Sequence, residues 1–201
     1  MSTHRDRIAL AAVIASVLLA QVLLYPGIGG LVRALGATTE LDAGMWFLAA
    51  EFGAFVTFVG VWGALSDAAG KRVPFIAAGA FGGAIGYATL GALPAIVAPS
   101  FGAVLALRVV QGAATIGAFS LAMTMLMDLE GGHGKNMGAA GIAIGTGTAV
   151  GAPLGGQLSE LDPLTPLYLA CALLFAAGGL VWFVEDRAPE SRRSAREAVA
   201  S

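Results

Sequence analysis

The chain carries one cysteine, Cys171, so no internal disulfide can form. Its two histidines, His4 and His133, stand far apart in polar segments, which leaves no ligand set for a metal site. Charge is scarce. Asp, Glu, Lys and Arg make up 12% of the 201 residues, against about 25% in a soluble domain, while 57% are hydrophobic. That balance excludes an ordinary soluble globule. No serine or cysteine in an apolar stretch has a histidine beside it as an activating base, so the chain does not read as an intramembrane enzyme. The string Gly131-Gly132-His133-Gly134-Lys135-Asn136 lacks the first glycine of a phosphate loop and the Ser/Thr after its lysine. No cofactor, metal or nucleic-acid partner is expected.

What the chain has is apolar length. Six runs stand out, at 8–33, 45–66, 74–94, 101–127, 136–159 and 165–185. About 20 residues suffice to cross the hydrocarbon core, so the pattern predicts an all-α membrane protein with six transmembrane helices. The first, fourth and fifth runs are long enough to tilt. The first follows a basic segment, but its length and the five runs after it mark an uncleaved helix rather than a signal peptide. Residues 1–185 form the expected membrane unit, and 186–201 a cytoplasmic tail.

Basic residues fix the orientation. With the amino terminus inside, Arg5, Arg7, Lys71, Arg72, Lys135, Arg187, Arg192, Arg193 and Arg196 all fall on the inner side. The outer side holds Arg33 and the acids Glu40, Asp42, Glu160 and Asp162. The positive-inside rule then places both termini in the cytoplasm. Trp46, Trp62 and Trp182 fall near expected helix ends, as interfacial anchors do.

Arg108 breaks this pattern, because it lies within the fourth run. An arginine at membrane depth costs at least about 2.5–3.5 kcal/mol, and such a residue normally faces a water-filled cavity or a partner. Gln111 is three residues on and shares its face. Glu51 lies six residues into the second run and Arg108 seven into the fourth, so both sit about 10 Å deep at 1.5 Å per residue. Glu51 is therefore a candidate protonatable partner for Arg108: burial favours its neutral form and the arginine its carboxylate. A structural ion pair, or a glutamate reaching the outer interface, is the alternative. Gln21 and Tyr25 share a face of the first run, and Pro26 is expected to kink it.

Three strings carry further signals. The first is Gly63-x-Leu65-Ser66-Asp67-x-x-Gly70-Lys71-Arg72, between the second and third runs. Gly70 suits the left-handed conformation that ends a helix. Asp67 stands at a helix carboxyl end, where it needs cations such as Lys71 and Arg72 or another helix's amino terminus. The second is Leu105-x-x-Arg108-x-x-Gln111-Gly112. The third runs from Gly138 through Gly147, Gly151 and Pro153 to Gly155 and Gly156. Its glycines, spaced by four, let helices approach closely, as do Gly79, Gly82, Gly83 and Gly86 in the third run. The ends of the second and fifth runs, Gly63-Ala-Leu65-Ser66-Asp67 and Gly156-Gln-Leu158-Ser159-Glu160, form a weak repeat at opposite faces. An inverted pair of three-helix units would produce that.

Together these strings resemble the signatures of the major facilitator superfamily, in its amino-terminal six-helix half, and the likeness covers essentially the whole chain. The third string is similar to the motif of drug/proton antiporters. Ala68 and Val73 stand where the loop motif usually has basic residues, and the helix 5 proline is displaced to 153. The resemblance implies small-molecule transport by alternating access in a prokaryotic plasma membrane, with the lipid bilayer, a substrate and protons as partners. It implies efflux coupled to protons, with Arg108, Glu51, Gln111, Gln21 and Tyr25 facing the substrate and proton pathway. It also implies that Gly63, Asp67, Gly70, Lys71, Arg72 and Asp128 form a conformational switch, Asp128 pairing with Lys71. Family transporters have two such halves, so a second six-helix half is expected, from a second copy or a separate chain. A non-transporting scaffold half, or a fragment of a longer transporter, is the alternative.

Overall fold

The computed structural model describes residues 2–186, so the tail arginines Arg187, Arg192, Arg193 and Arg196 lie outside the described residues. Among the described residues every regular element is helical. They are α1 (Ser2–Val22), α2 (Ile28–Ala34), α3 (Glu40–Ala69), α4 (Val73–Ile96), α5 (Phe101–Met127), α6 (His133–Leu161) and α7 (Thr165–Leu180), followed by a 3-10 turn at Val181–Phe183. Five of them, α3 to α7, are long and apolar enough to cross a membrane.

The first expected run, 8–33, is two helices. α1 begins earlier, in the basic stretch, and stops at Val22. Its last turns tighten: Leu24 N–H reaches the Gln21 carbonyl at 3.4 Å and Tyr25 N–H the Val22 carbonyl at 3.1 Å. Pro26 then supplies no donor, and the helix cannot continue. Gly27 lies against Ser159 of α6, where a Cβ would overlap that side chain. The other expected runs match α3 to α7, and α3 extends well beyond 45–66 at both ends.

Small residues set the packing. Buried positions on α6 form one stripe, Asn136, Ala140, Ala143, Gly147, Gly151 and Gly155. At Gly147 and Gly151 a Cβ would stand 2.8 Å from the Ala15 carbonyl and 3.1 Å from Val22 Cβ, so the stripe lies on α1. On α4, Gly79 and Gly83 lie on α5 in the same way, a Cβ meeting the Ala114 carbonyl at 2.8 Å and Thr115 Oγ1 at 2.5 Å. Contact of this closeness compensates for the absence of a hydrophobic driving force between helices in lipid. The principal helix pairs are α4 with α5 and α7, α1 with α6, and α3 with α5; α1 also touches α5 and α7.

Candidate functional site: a buried ion pair

Gly112 on α5 carries no side chain, and the α3 backbone presses into that space. A Cβ there would stand 3.2 Å from both Glu51 Cα and the Glu51 carbonyl oxygen. α3 therefore runs close enough to α5 for a short carboxylate to reach across. Arg108 Nη2 donates to Glu51 Oε2 at 2.5 Å, and both side chains have zero exposure. Arg108 Nη1 donates to Gln111 Oε1 at 2.5 Å. Gln111 Nε2 in turn donates to Thr115 Oγ1 at 2.7 Å, and that hydroxyl donates to the Gln111 carbonyl at 2.9 Å. On α4, Gly86 makes room for Gln111, whose Cβ and Cγ a substituent at 86 would meet at 2.6 Å.

Two rings complete the enclosure. The Arg108 guanidinium carbon lies 4.5 Å from the Phe47 ring centroid and 5.4 Å from that of Tyr87. A desolvated guanidinium near an aromatic face gains about 2 kcal/mol. Gln21 and Tyr25, from α1 and the turn after it, lie close enough to Glu51 to interact with it electrostatically. The five residues expected on the pathway thus meet around one point, contributed by α1, α3 and α5. Three neighbours were not singled out by the sequence: Phe47, Tyr87 and Thr115. Thr115 was legible as the residue four after Gln111 on the same face. Phe47 and Tyr87 sit in apolar runs and look like core.

The inner end holds a second cluster. α3 ends in a Schellman motif: Gly70, at φ +66°, donates to the Asp67 carbonyl, and Lys71 N–H to the Ser66 carbonyl, both at 3.2 Å. That turn leaves Lys71 exposed and buries Arg72. Asp128, the residue closing α5, accordingly pairs with Arg72 and not, as expected, with Lys71. Asp186 caps α4, accepting from the backbone N–H groups of Arg72 at 2.9 Å and Val73 at 3.3 Å. Asp67 is exposed, and no ion pair joins it to Lys71 or Arg72 among the described residues. Gly63 has open space around it.

A third contact, unforeseen, ties α1 to the α5–α6 joint. Arg7 Nε donates to Asn136 Oδ1 at 2.9 Å and Nη2 to the Glu130 carbonyl at 2.8 Å, while buried Asn136 donates to the Leu129 carbonyl at 2.6 Å. Trp62, expected at an interface, instead joins two helices. It lies about two turns inside α3, and its Nε1 donates to the Ala113 carbonyl at 2.6 Å.

The α6 glycines divide. Gly147, Gly151 and Gly155 lie on α1, and a Cβ at 155 would overlap the Leu23 carbonyl, the first residue past α1. Gly138 faces open space, and Gly156 lies beside Pro26 with a Cβ distance of 3.8 Å. Pro153 lies inside the helix, which runs through it. Among the described residues no cluster of His, Cys, Asp and Glu has the makings of a metal site.

The family model described as Major Facilitator Superfamily matches residues 9–201. No curated protein and no solved structure matches the chain.

Proposed function

The chain belongs to the Major Facilitator Superfamily, a family of membrane transporters, and on that footing we propose that it exports small molecules in exchange for protons by alternating access. The observation that carries the proposal is the Glu51–Arg108 pair, fully buried among apolar helices. A buried ion pair is poor evidence for stability, since desolvation offsets the attraction. Ionisable residues at membrane depth instead mark ion and substrate pathways. In the proposed cycle Glu51 takes a proton and releases Arg108, and the substrate competes for the same polar cluster of Gln21, Tyr25 and Gln111. Export, and the likeness to drug/proton antiporters, rest on the α6 glycines and Pro153.

Residues 1–185 then act as one six-helix half in a prokaryotic plasma membrane, with α1 and the turn after it as the first span and both termini cytoplasmic. Two inverted three-helix repeats are supported by the pattern of contacts. Exchanging α1, α3 and α4 for α5, α6 and α7 turns the pair α1–α6 into α5–α3 and the pair α4–α5 into α7–α1, all of which are made. The loop at Gly63–Arg72 and Asp128 would rearrange between the inward and outward states. A second six-helix half, from another copy or a separate chain, fits the one-sided packing: 11% of the apolar stretch of α3 and 22% of that of α6 is buried. The same one-sidedness would suit a scaffold half that binds a subunit without transporting.

The test is reconstitution in liposomes with a pH-sensitive dye inside and a proton gradient imposed. A panel of small molecules is added, and compound-dependent proton movement is recorded. The transporter reading expects movement that Glu51→Gln and Arg108→Gln both abolish. Equal movement with Glu51→Gln would refute the assigned role of Glu51.

A further inference from the structure

We propose that Tyr87 is the second acceptor for Arg108, receiving the guanidinium when Glu51 is protonated. This rests on the proton-coupling role given to Glu51 above, and it assigns the residue that makes the uncoupled state of Arg108 tolerable.

Three polar atoms around the ion pair are buried without a hydrogen-bond partner: Glu51 Oε1, Arg108 Nε and the Tyr87 hydroxyl. Tyr87 has zero exposure. An unsatisfied buried hydroxyl costs about 1–3 kcal/mol, and buried polar groups are almost always satisfied. A phenylalanine would fill the same site in the α4–α5 packing without that cost. The hydroxyl is accounted for if a second arrangement of the site uses it.

The surroundings say which arrangement that is. Every group facing Arg108 can be named: Glu51 and Phe47 from α3, Gln111 and Thr115 from α5, Tyr87 from α4, and Gln21 and Tyr25 beside Glu51. Glu51 is the single anion among them. Once it is protonated, the guanidinium remains charged at full burial, and removing one partner of a buried pair costs about 3–5 kcal/mol unless another group compensates. Gln111 Oε1 already accepts from Arg108, and Phe47 offers only its ring face. Tyr25 is engaged by Gln21. The Tyr87 hydroxyl already stands close enough to the guanidinium to interact with it but makes no full hydrogen bond in this arrangement, so it is the acceptor that a small shift of Arg108 would engage. No proton moves to Tyr87. The phenol stays neutral and accepts a hydrogen bond from an Arg108 N–H, while Glu51 holds the transported proton. Because Tyr87 stands on α4 and Glu51 on α3, the exchange moves the arginine's bond from one helix to another.

Infrared titration of the purified full chain in lipid nanodiscs tests this without any substrate. The protonated-carboxyl band of Glu51 is isolated as the difference between the native chain and Glu51→Gln and followed against pH. In Tyr87→Phe the protonated state loses its acceptor, so the band is expected to need about tenfold more protons to reach half height, a loss of about 1.4 kcal/mol. Leu90→Val alters the packing of α4 one turn from Tyr87 but touches no polar group of the site, and it is expected to leave the midpoint within about threefold of native. A native midpoint in Tyr87→Phe overturns the proposal, as does an equal displacement in Leu90→Val, which would make Tyr87 a packing residue. A displaced midpoint in a chain that moves no protons in the liposome assay would sustain the Tyr87 assignment and sink the transport reading instead.

Discussion

Gly112 of α5 lies against the backbone of Glu51 on α3, so close that a Cβ there would stand 3.2 Å from Glu51 Cα and force the helices apart by a few tenths of an ångström. The ion pair depends on that closeness, because a glutamate is short. Gly112→Ala puts a methyl group 3.2 Å from Glu51 Cα. Overpacking of this kind costs about 1–3 kcal/mol. The variant is expected to unfold at lower denaturant in mild detergent and to lose proton coupling in liposomes. Full coupling in Gly112→Ala would mean that the pair tolerates a wider helix spacing.

Removing one charge of the pair differs from removing both. Arg108→Leu or Glu51→Leu strands a buried partner and is expected to cost about 3–5 kcal/mol, whereas the double variant is expected to recover most of that stability. Transport should fail in all three. Denaturant unfolding of the four proteins forms a cycle, and additive costs would rule out the coupling.

At the inner end the prediction separates two neighbouring cations. Arg72→Gln breaks the contact with Asp128, whose side chain is 40% exposed, so the loss is modest, about 1 kcal/mol or less, and shrinks with added salt. Lys71→Gln is expected to leave the unfolding midpoint unchanged. An equal effect of the two would return Lys71 to the role the sequence first assigned it.

The α6 glycines offer a contrast within one helix. Gly155→Ala drives a methyl group into the Leu23 carbonyl and should separate α6 from α1, with a large loss of folded protein. Gly138→Ala meets nothing within 4 Å and is expected to change stability by no more than about 0.5 kcal/mol. Yield of monodisperse protein after detergent extraction distinguishes them.

Much of this was legible in the residues. Apolar run length located α3 to α7, since the bilayer sets a minimum span. The period of the helix put Arg108, Gln111 and Thr115 on one face, and equal depth brought Glu51 level with Arg108. Gly70 was readable as a helix terminator because few other residues adopt its backbone conformation. The break after Val22 was only half legible. Pro26 announced a kink, but the helix stops earlier, where the Leu23 carbonyl meets Gly155 from the far end of the chain.

What the sequence by itself determined is therefore what depends on neighbours along the chain: membrane character, the positions of α3 to α7, the family, and the face each polar residue occupies. The tertiary structure decided which faces meet. Asp128 takes Arg72 because the turn at Gly70 carries Lys71 outward. Tyr87 and Phe47 enclose Arg108 because glycines on α4 and α5 let three helices close around it. Contacts of that kind join residues tens of positions apart, and their geometry is set by the spacing of packed backbones, which no local pattern records.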